Sequence, residues 1–210
     1  MPAHSTLLIF TAAVLGLLLS PGPNMAFLFA HSLAQGPRGG LAVATGIFIA
    51  DLALSVLTAA GVTAVVMALP ASFDAIRIAG ALYLLWLAVQ SLRARWAAPA
   101  DVRVDRSLGR VIRRSALNSL FNPKALLFFL VFLPQFVDPR RGHVATQLAV
   151  LGAVLSLEAL IFHTLLGLAS GYLAHRMKTP LAQRTFGRFQ GLIFLALALR
   201  LLVMDRPATT

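Results

Sequence analysis

Ser20-Pro21-Gly22-Pro23-Asn24 interrupts an apolar run extending from about residue 6 to 31, and Asn122-Pro123-Lys124 interrupts another, from about 116 to 137. Proline removes a backbone donor, and its ring clashes with the preceding turn. In lipid an unpaired backbone group is costly, so such a break survives only where protein or water covers it. Interrupted segments at matching places in two halves of a chain point to the binding site of a transporter. The two breaks therefore predict a polytopic membrane protein that moves a solute.

Composition supports this class. Of the 210 residues, 59% are hydrophobic and 12% charged, against roughly 25% charged in soluble domains. That excludes a soluble globular domain and leaves one apolar bundle over residues 1–210. The chain has no cysteine, which removes disulfides and thiolate metal sites. A net charge of +11 would suit a nucleic-acid binder. The cations, however, fall mostly in the gaps between apolar runs, where the positive-inside rule puts them, so no nucleic-acid partner is expected. Met1 to Phe10 has no Lys or Arg, and no small-residue cleavage pattern follows the apolar run. This start reads as a retained first span rather than a signal peptide.

Six apolar stretches can be marked, at about 6–31, 40–68, 73–92, 116–137, 144–174 and 187–204. The first, third and fifth gaps hold 12 Lys and Arg, and the second and fourth hold 3. The odd gaps are therefore expected in the cytoplasm, with both termini outside. The one long gap, 93–115, carries seven of those cations. Within it, Leu108, Val111, Ile112 and Ala116 fall at helical spacing between arginines. That pattern suits a short interfacial helix over 106–116 leading into the fourth span; the segment reads either as a solvated topology signal or as a site for membrane lipid or another partner.

Unusual features recur in the two halves, about 1–92 and 106–210. Leu41-Ala-Val-Ala-Thr-Gly-Ile-Phe-Ile-Ala-Asp51 parallels Leu148-Ala-Val-Leu-Gly-Ala-Val-Leu-Ser-Leu-Glu158. Each follows a proline-broken segment and places a carboxylate in mid-segment. Three spans per half is an odd number, so the halves must have opposite orientation. The expected fold is an all-α integral membrane protein of six transmembrane helices in two inverted three-helix repeats, with helices 1 and 4 broken at the proline motifs.

At 1.5 Å per residue, Asp51 lies roughly 18 Å into its span and Glu158 roughly 21 Å into its own. Both depths are near the middle of a ~30 Å hydrocarbon core, where ionisable residues are rare and usually functional. Each acid reads either as a proton carrier or substrate-ammonium ligand, or as a structural partner, Asp51 for Lys124. Lys124 reads as a substrate-carboxylate ligand, as a partner of Asp51, or as a side chain snorkelling to the headgroups. Pro21, Gly22, Pro23 and Pro123 free carbonyls and expose amides. Asn24 and Asn122 are placed to bond those groups or a substrate. The expected substrate path thus includes Pro21, Gly22, Pro23, Asn24, Asp51, Asn122, Pro123, Lys124 and Glu158, with Asp51 and Glu158 as proton-coupling candidates.

Other chemistry finds little support. Of the five histidines only His163 lies well inside a span. It is about 140° around the helix from Glu158, a poor chelate, so no metal site is expected. No Ser-His-Asp order, HExxH or phosphate-binding glycine loop occurs, so no catalytic residue is expected. GxxxG spacings occur at Gly36/Gly40, read as a loop, and at Gly167/Gly171 and Gly187/Gly191. The last two read as contacts within the bundle or as a homodimer face.

The chain resembles the lysine-exporter and homoserine/threonine-resistance family of bacterial amino-acid exporters. The resemblance rests on Ser20-Pro-Gly-Pro-Asn24, on Gly36-Pro-Arg-Gly-Gly-Leu41 through Gly46 and Asp51, and on Phe121-Asn-Pro-Lys-Ala125 with Phe132-Leu-Pro-Gln-Phe-Val137. The last is the most specific. The chain has Ala50-Asp51 where the family often has Gly-Asp. The resemblance implies efflux of an amino acid or related small metabolite across the bacterial inner membrane, driven by the proton gradient and without a bound cofactor. The rival readings are a metal-ion exporter from a related superfamily branch and a membrane-embedded lipid-modifying enzyme.

Overall fold

The computed structural model describes residues 4–19, 22–68, 72–93, 104–138 and 141–170, with scattered positions between 188 and 199. Every regular element among the described residues is helical. The helices are α1 (His4–Leu18), α2 (Pro23–Gln35), α3 (Pro37–Ala68), α4 (Ser72–Arg93), α5 (Leu108–Leu120), α6 (Pro123–Leu127) and α7 (Val144–Leu168). A π-helical turn (Phe128–Phe132) and a 3-10 turn (Leu133–Phe136) continue α6.

Each proline motif ends one helix and starts another. Gly22 is extended and Pro23 occupies the first turn of α2, where a missing N–H costs nothing. Asn122 caps α6, its side-chain oxygen accepting the Lys124 backbone N–H at 3.0 Å, and Pro123 follows in the first turn. The axis bends by 62° between Thr6–Leu18 and Pro23–Gln35, and by 53° between Leu108–Leu120 and Pro123–Phe136. A third proline, Pro134, has no N–H to give the carbonyl four residues back. There the helix loosens into the π and 3-10 turns. Gly36 separates α2 from α3 with φ +65°, a left-handed turn that favours glycine.

Pro37–Gly61 and Val144–Leu168 are each 25 apolar residues long, about 37 Å of helix, and cross a ~30 Å core unaided. Counting each bent pair as one span brings the described residues to four. Most of the expected sixth segment, 187–204, lies outside the described residues, as do Gly171, Gly187 and most of 93–103. One boundary is corrected. The arginine-bearing helix expected over 106–116 starts at Leu108 and runs unbroken to Leu120. Its buried face carries Val111, Ser115 and Ser119 into the bundle, so the packing that holds its second half extends the helix to the break.

Glycines set the close crossings of α3. The backbones of Gly40 and Gly167 touch, Gly152 of α7 sits on Ser55, and Gly46 sits on α5. Gly40 is thus a helix-packing residue rather than part of a loop, and Gly167 makes its contact inside the bundle. Around these crossings Phe10, Phe128, Phe132 and Phe136 form a buried aromatic row. Phe10 meets Phe136 edge-on at 5.0 Å. At the arginine-rich end, α2 is tied to the segment before α5. Gln35 Nε2 donates to the Asp105 carbonyl at 2.6 Å, and Arg114 pairs with the Asp105 carboxylate at 2.6 Å.

A Cβ on Gly46 would run into the Ser115 hydroxyl and the Ile112 carbonyl. A hydroxyl can rotate away; a helix carbonyl cannot. Gly46→Ala is expected to cost about 1–3 kcal/mol through overpacking, and Gly46→Leu to leave little folded protein. Gel filtration and thermal melting in detergent check this; a Gly46→Leu protein with wild-type elution and melting would mean α3 and α5 are not so closely packed.

Candidate functional site

The two breaks meet. A cavity of about 60 Å³ lies between them, lined by Leu17 and Leu18 at the end of α1, Gly22, Asn24 and Met25 at the start of α2, Ile47 and Asp51 of α3, Asn122, Lys124, Ala125, Phe128 and Phe129 of the second break, and Leu155 and His163 of α7. That volume holds a few waters. Its wall is mostly apolar, with an acid, an amine, two amides and an imidazole converging on it, the pattern of a small-molecule site.

The polar groups are fixed by bonds between the two breaks. The Asn24 amide donates to Ser119 Oγ at 2.9 Å and its oxygen accepts from the Asn118 amide at 2.9 Å. The Ser119 side chain also stands beside the Asp51 carboxylate. Lys124 Nζ donates to the Leu17 carbonyl at 3.2 Å, one of the carbonyls left without an intrahelical partner where a helix stops. Tyr83 of α4 donates to the Lys124 carbonyl at 3.2 Å. His163 Nδ1 lies 2.7 Å from the Ala159 carbonyl. A carbonyl only accepts, so the hydrogen is on Nδ1 and Nε2 is the ring's other reactive atom.

Of the residues expected from sequence, Gly22, Asn24, Asp51, Asn122 and Lys124 share the cavity wall. Pro23 and Pro123 are exposed at the first turns of their helices and shape the breaks without lining the cavity. Pro21 lies outside the described residues. Glu158 is on a different face of α7 from His163, as their 140° separation requires. It accepts the Thr11 hydroxyl of α1 at 2.6 Å on Oε1. Its buried Oε2 has no hydrogen-bond partner among the described residues. Sequence reading missed Asn118, Ser119, Thr11 and the place of His163 on the cavity wall. Asn118 and Ser119 carried a signal, being two polar residues one helical turn before a break in an apolar run.

The sequence pattern of the LysE type translocator matches residues 15–205. The chain belongs to the LysE-type translocator family. Among its relatives, a leucine efflux protein of Salmonella typhimurium is 31% identical over 192 residues, covering 90% of this chain and 91% of the relative. A leucine efflux protein of Enterobacter sp. (strain 638) is 32% identical over 191 residues, covering 88% of this chain and 89% of the relative. No solved structure matches. Family membership and the long apolar helices together make the chain a transmembrane transport protein. The LysE-type translocator has its breaks and its mid-helix acid Asp51 in one place, where two helix ends, a carboxylate and an amine share an apolar wall.

Proposed function

We propose that this translocator exports an aliphatic amino acid, leucine or a close analogue, out of the bacterial cytoplasm through the inner membrane. The observation that carries the reading is a carboxylate, Asp51, and an amine, Lys124, on the wall of one mostly apolar cavity. A zwitterion with an apolar side chain has the complementary groups: its ammonium faces Asp51, its carboxylate faces Lys124, and its side chain meets Met25, Ile47 and Leu155. The leucine efflux relatives support the same substrate class, and together with the family they favour it over the metal-ion and lipid-enzyme readings.

The proposed architecture is six spans in two inverted repeats, with both termini outside. It rests on the paired bends, each followed by a first-turn proline and then by a long apolar helix with an acid at its middle. The proposed drive is proton antiport. Asp51 serves the substrate, and Glu158, off the cavity wall and with one buried oxygen unpartnered among the described residues, carries the proton.

Cells loaded with a leucine dipeptide test this. Those making the protein are expected to clear internal leucine faster than empty cells, and faster still when the outside is made more acidic, because inward proton flow drives outward substrate. Glu158→Gln is expected to keep downhill leucine release but lose its response to outside pH. Equal clearance by empty and producing cells, for leucine and the other aliphatic amino acids, would defeat the exporter reading. An unchanged pH response in Glu158→Gln would defeat only the assignment of the proton.

A further inference from the structure

The cavity's two charged groups already have neighbours, Lys124 across the breaks and Asp51 on α5. Lys124 follows the second break and holds the Leu17 carbonyl, on the helix that ends at the first. Asn24 follows the first break and is held by Asn118 and Ser119, on the helix that ends at the second. Ser119 is fully buried. Its oxygen accepts from Asn24, leaving its own proton for the Asp51 carboxylate. Asn118 thus donates to Asn24 and Asn24 to Ser119, whose hydroxyl is left beside the Asp51 carboxylate.

We propose that these contacts are placeholders for the substrate: the Ser119 hydroxyl holds the position of the ammonium on Asp51, the Leu17 carbonyl holds that of the carboxylate on Lys124, and a zwitterion displaces both, releasing α5 from α3 and the second break from the end of α1. This rests on the reading of Asp51 and Lys124 given above. Asn118 and Ser119 are then positioning residues for transport.

Three features make the exchange work. A hydrogen bond with both partners charged is stronger than one with a single charged partner, so ammonium outcompetes hydroxyl at Asp51 and carboxylate outcompetes carbonyl at Lys124. A cavity with room for a few waters admits an amino acid only as its walls part, and the walls are the two breaks. A ligand with only one of the two charges releases only one of the two ties. A simple amine or a simple carboxylate therefore leaves the helices latched, which selects for amino acids. Breaking the placeholders subtracts from the affinity that the substrate shows, as does any step needed to reach a binding-competent state.

Removing a placeholder should therefore tighten apparent binding. The test uses purified protein in vesicles loaded with leucine, measuring initial efflux against leucine concentration. Ser119→Ala is expected to lower the half-saturating concentration about tenfold, the worth of one hydrogen bond to a charged group, with no gain in maximal rate. Asn118→Ala leaves Asp51 its hydroxyl but loosens Asn24, and is expected to lower it about threefold, a weaker neutral bond being lost. A role in stability alone would lower the melting temperature without lowering half-saturation. Unchanged or raised half-saturation in variants that still melt cooperatively would overturn the proposal, and if Ser119→Ala does not fold, Asn118→Ala decides it. Wild-type vesicles that release no leucine would overturn the exporter reading itself, and the placeholders with it. Wild-type release with unshifted variants overturns the placeholders alone.

Discussion

Asp51→Asn is expected to cut leucine export at least about 30-fold while the protein still accumulates in the membrane. Asp51 is 4% exposed, in the middle of a 25-residue apolar helix. Asparagine has its size and keeps an oxygen to accept the Ser119 hydroxyl, so the packing of α3 against α5 survives. What is lost is the charge. A substrate ammonium drawn into the cavity would then be buried without a counter-charge, at a cost of about 2–5 kcal/mol, or roughly 30-fold to a few thousand-fold in rate or affinity. Efflux from dipeptide-loaded cells, normalised to the membrane content of a tagged protein, measures it. Wild-type efflux in the variant would reduce Asp51 to a hydrogen-bonding partner of α5.

Lys124→Met is expected to have an effect of the same size on export and a second effect on stability. Methionine fills a similar volume, but the Leu17 carbonyl loses its donor. A charged hydrogen bond is worth about 1.5–3 kcal/mol, so the variant should melt measurably lower, with or without substrate. Lys124→Arg should not restore export, because a planar guanidinium is larger and more rigid than an ammonium and the cavity holds only about 60 Å³. The two effects are separable. Lower melting with normal export would make Lys124 a helix cap only, whereas lost export with normal melting would make it a substrate ligand only.

The parts of this site that were legible in the sequence share a physical cause: each is expensive in lipid. Proline in an apolar run, a carboxylate at mid-helix and a lysine beside a break all cost enough to need a reason, so Asp51, Lys124, Gly22, Asn24 and Asn122 stood out before the fold was known, and the structure gathers them on one wall. Glu158 stood out equally and sits elsewhere, against Thr11. Depth along a helix is readable from residue count, but the side a residue faces depends on which neighbour its helix packs against. Ser119 and Asn118 were missed for the opposite reason. A serine or amide in a membrane helix is cheap, because it can bond its own helix backbone, and its partner across the bundle leaves no trace in its own segment. The extent of α5 was misjudged because four arginines between 106 and 114 look like the end of a buried segment. The face that the structure buries, Val111, Ser115 and Ser119, has only one apolar residue, so hydropathy did not mark it.

The central claim is that substrate occupies the cavity between the two breaks, and the absence of cysteine from the chain makes it directly testable. Met25→Cys puts a single thiol on the cavity wall, and Val56→Cys puts one at an exposed apolar position of α3. The rate of modification by a small membrane-permeant methanethiosulfonate is measured for each, with and without saturating leucine. The account predicts that leucine slows modification of Met25→Cys several-fold, leaves Val56→Cys unchanged, and loses its effect on Met25→Cys when Asp51→Asn is added. Modification of Met25→Cys at the same rate with and without leucine, in a protein that still exports leucine, would contradict it.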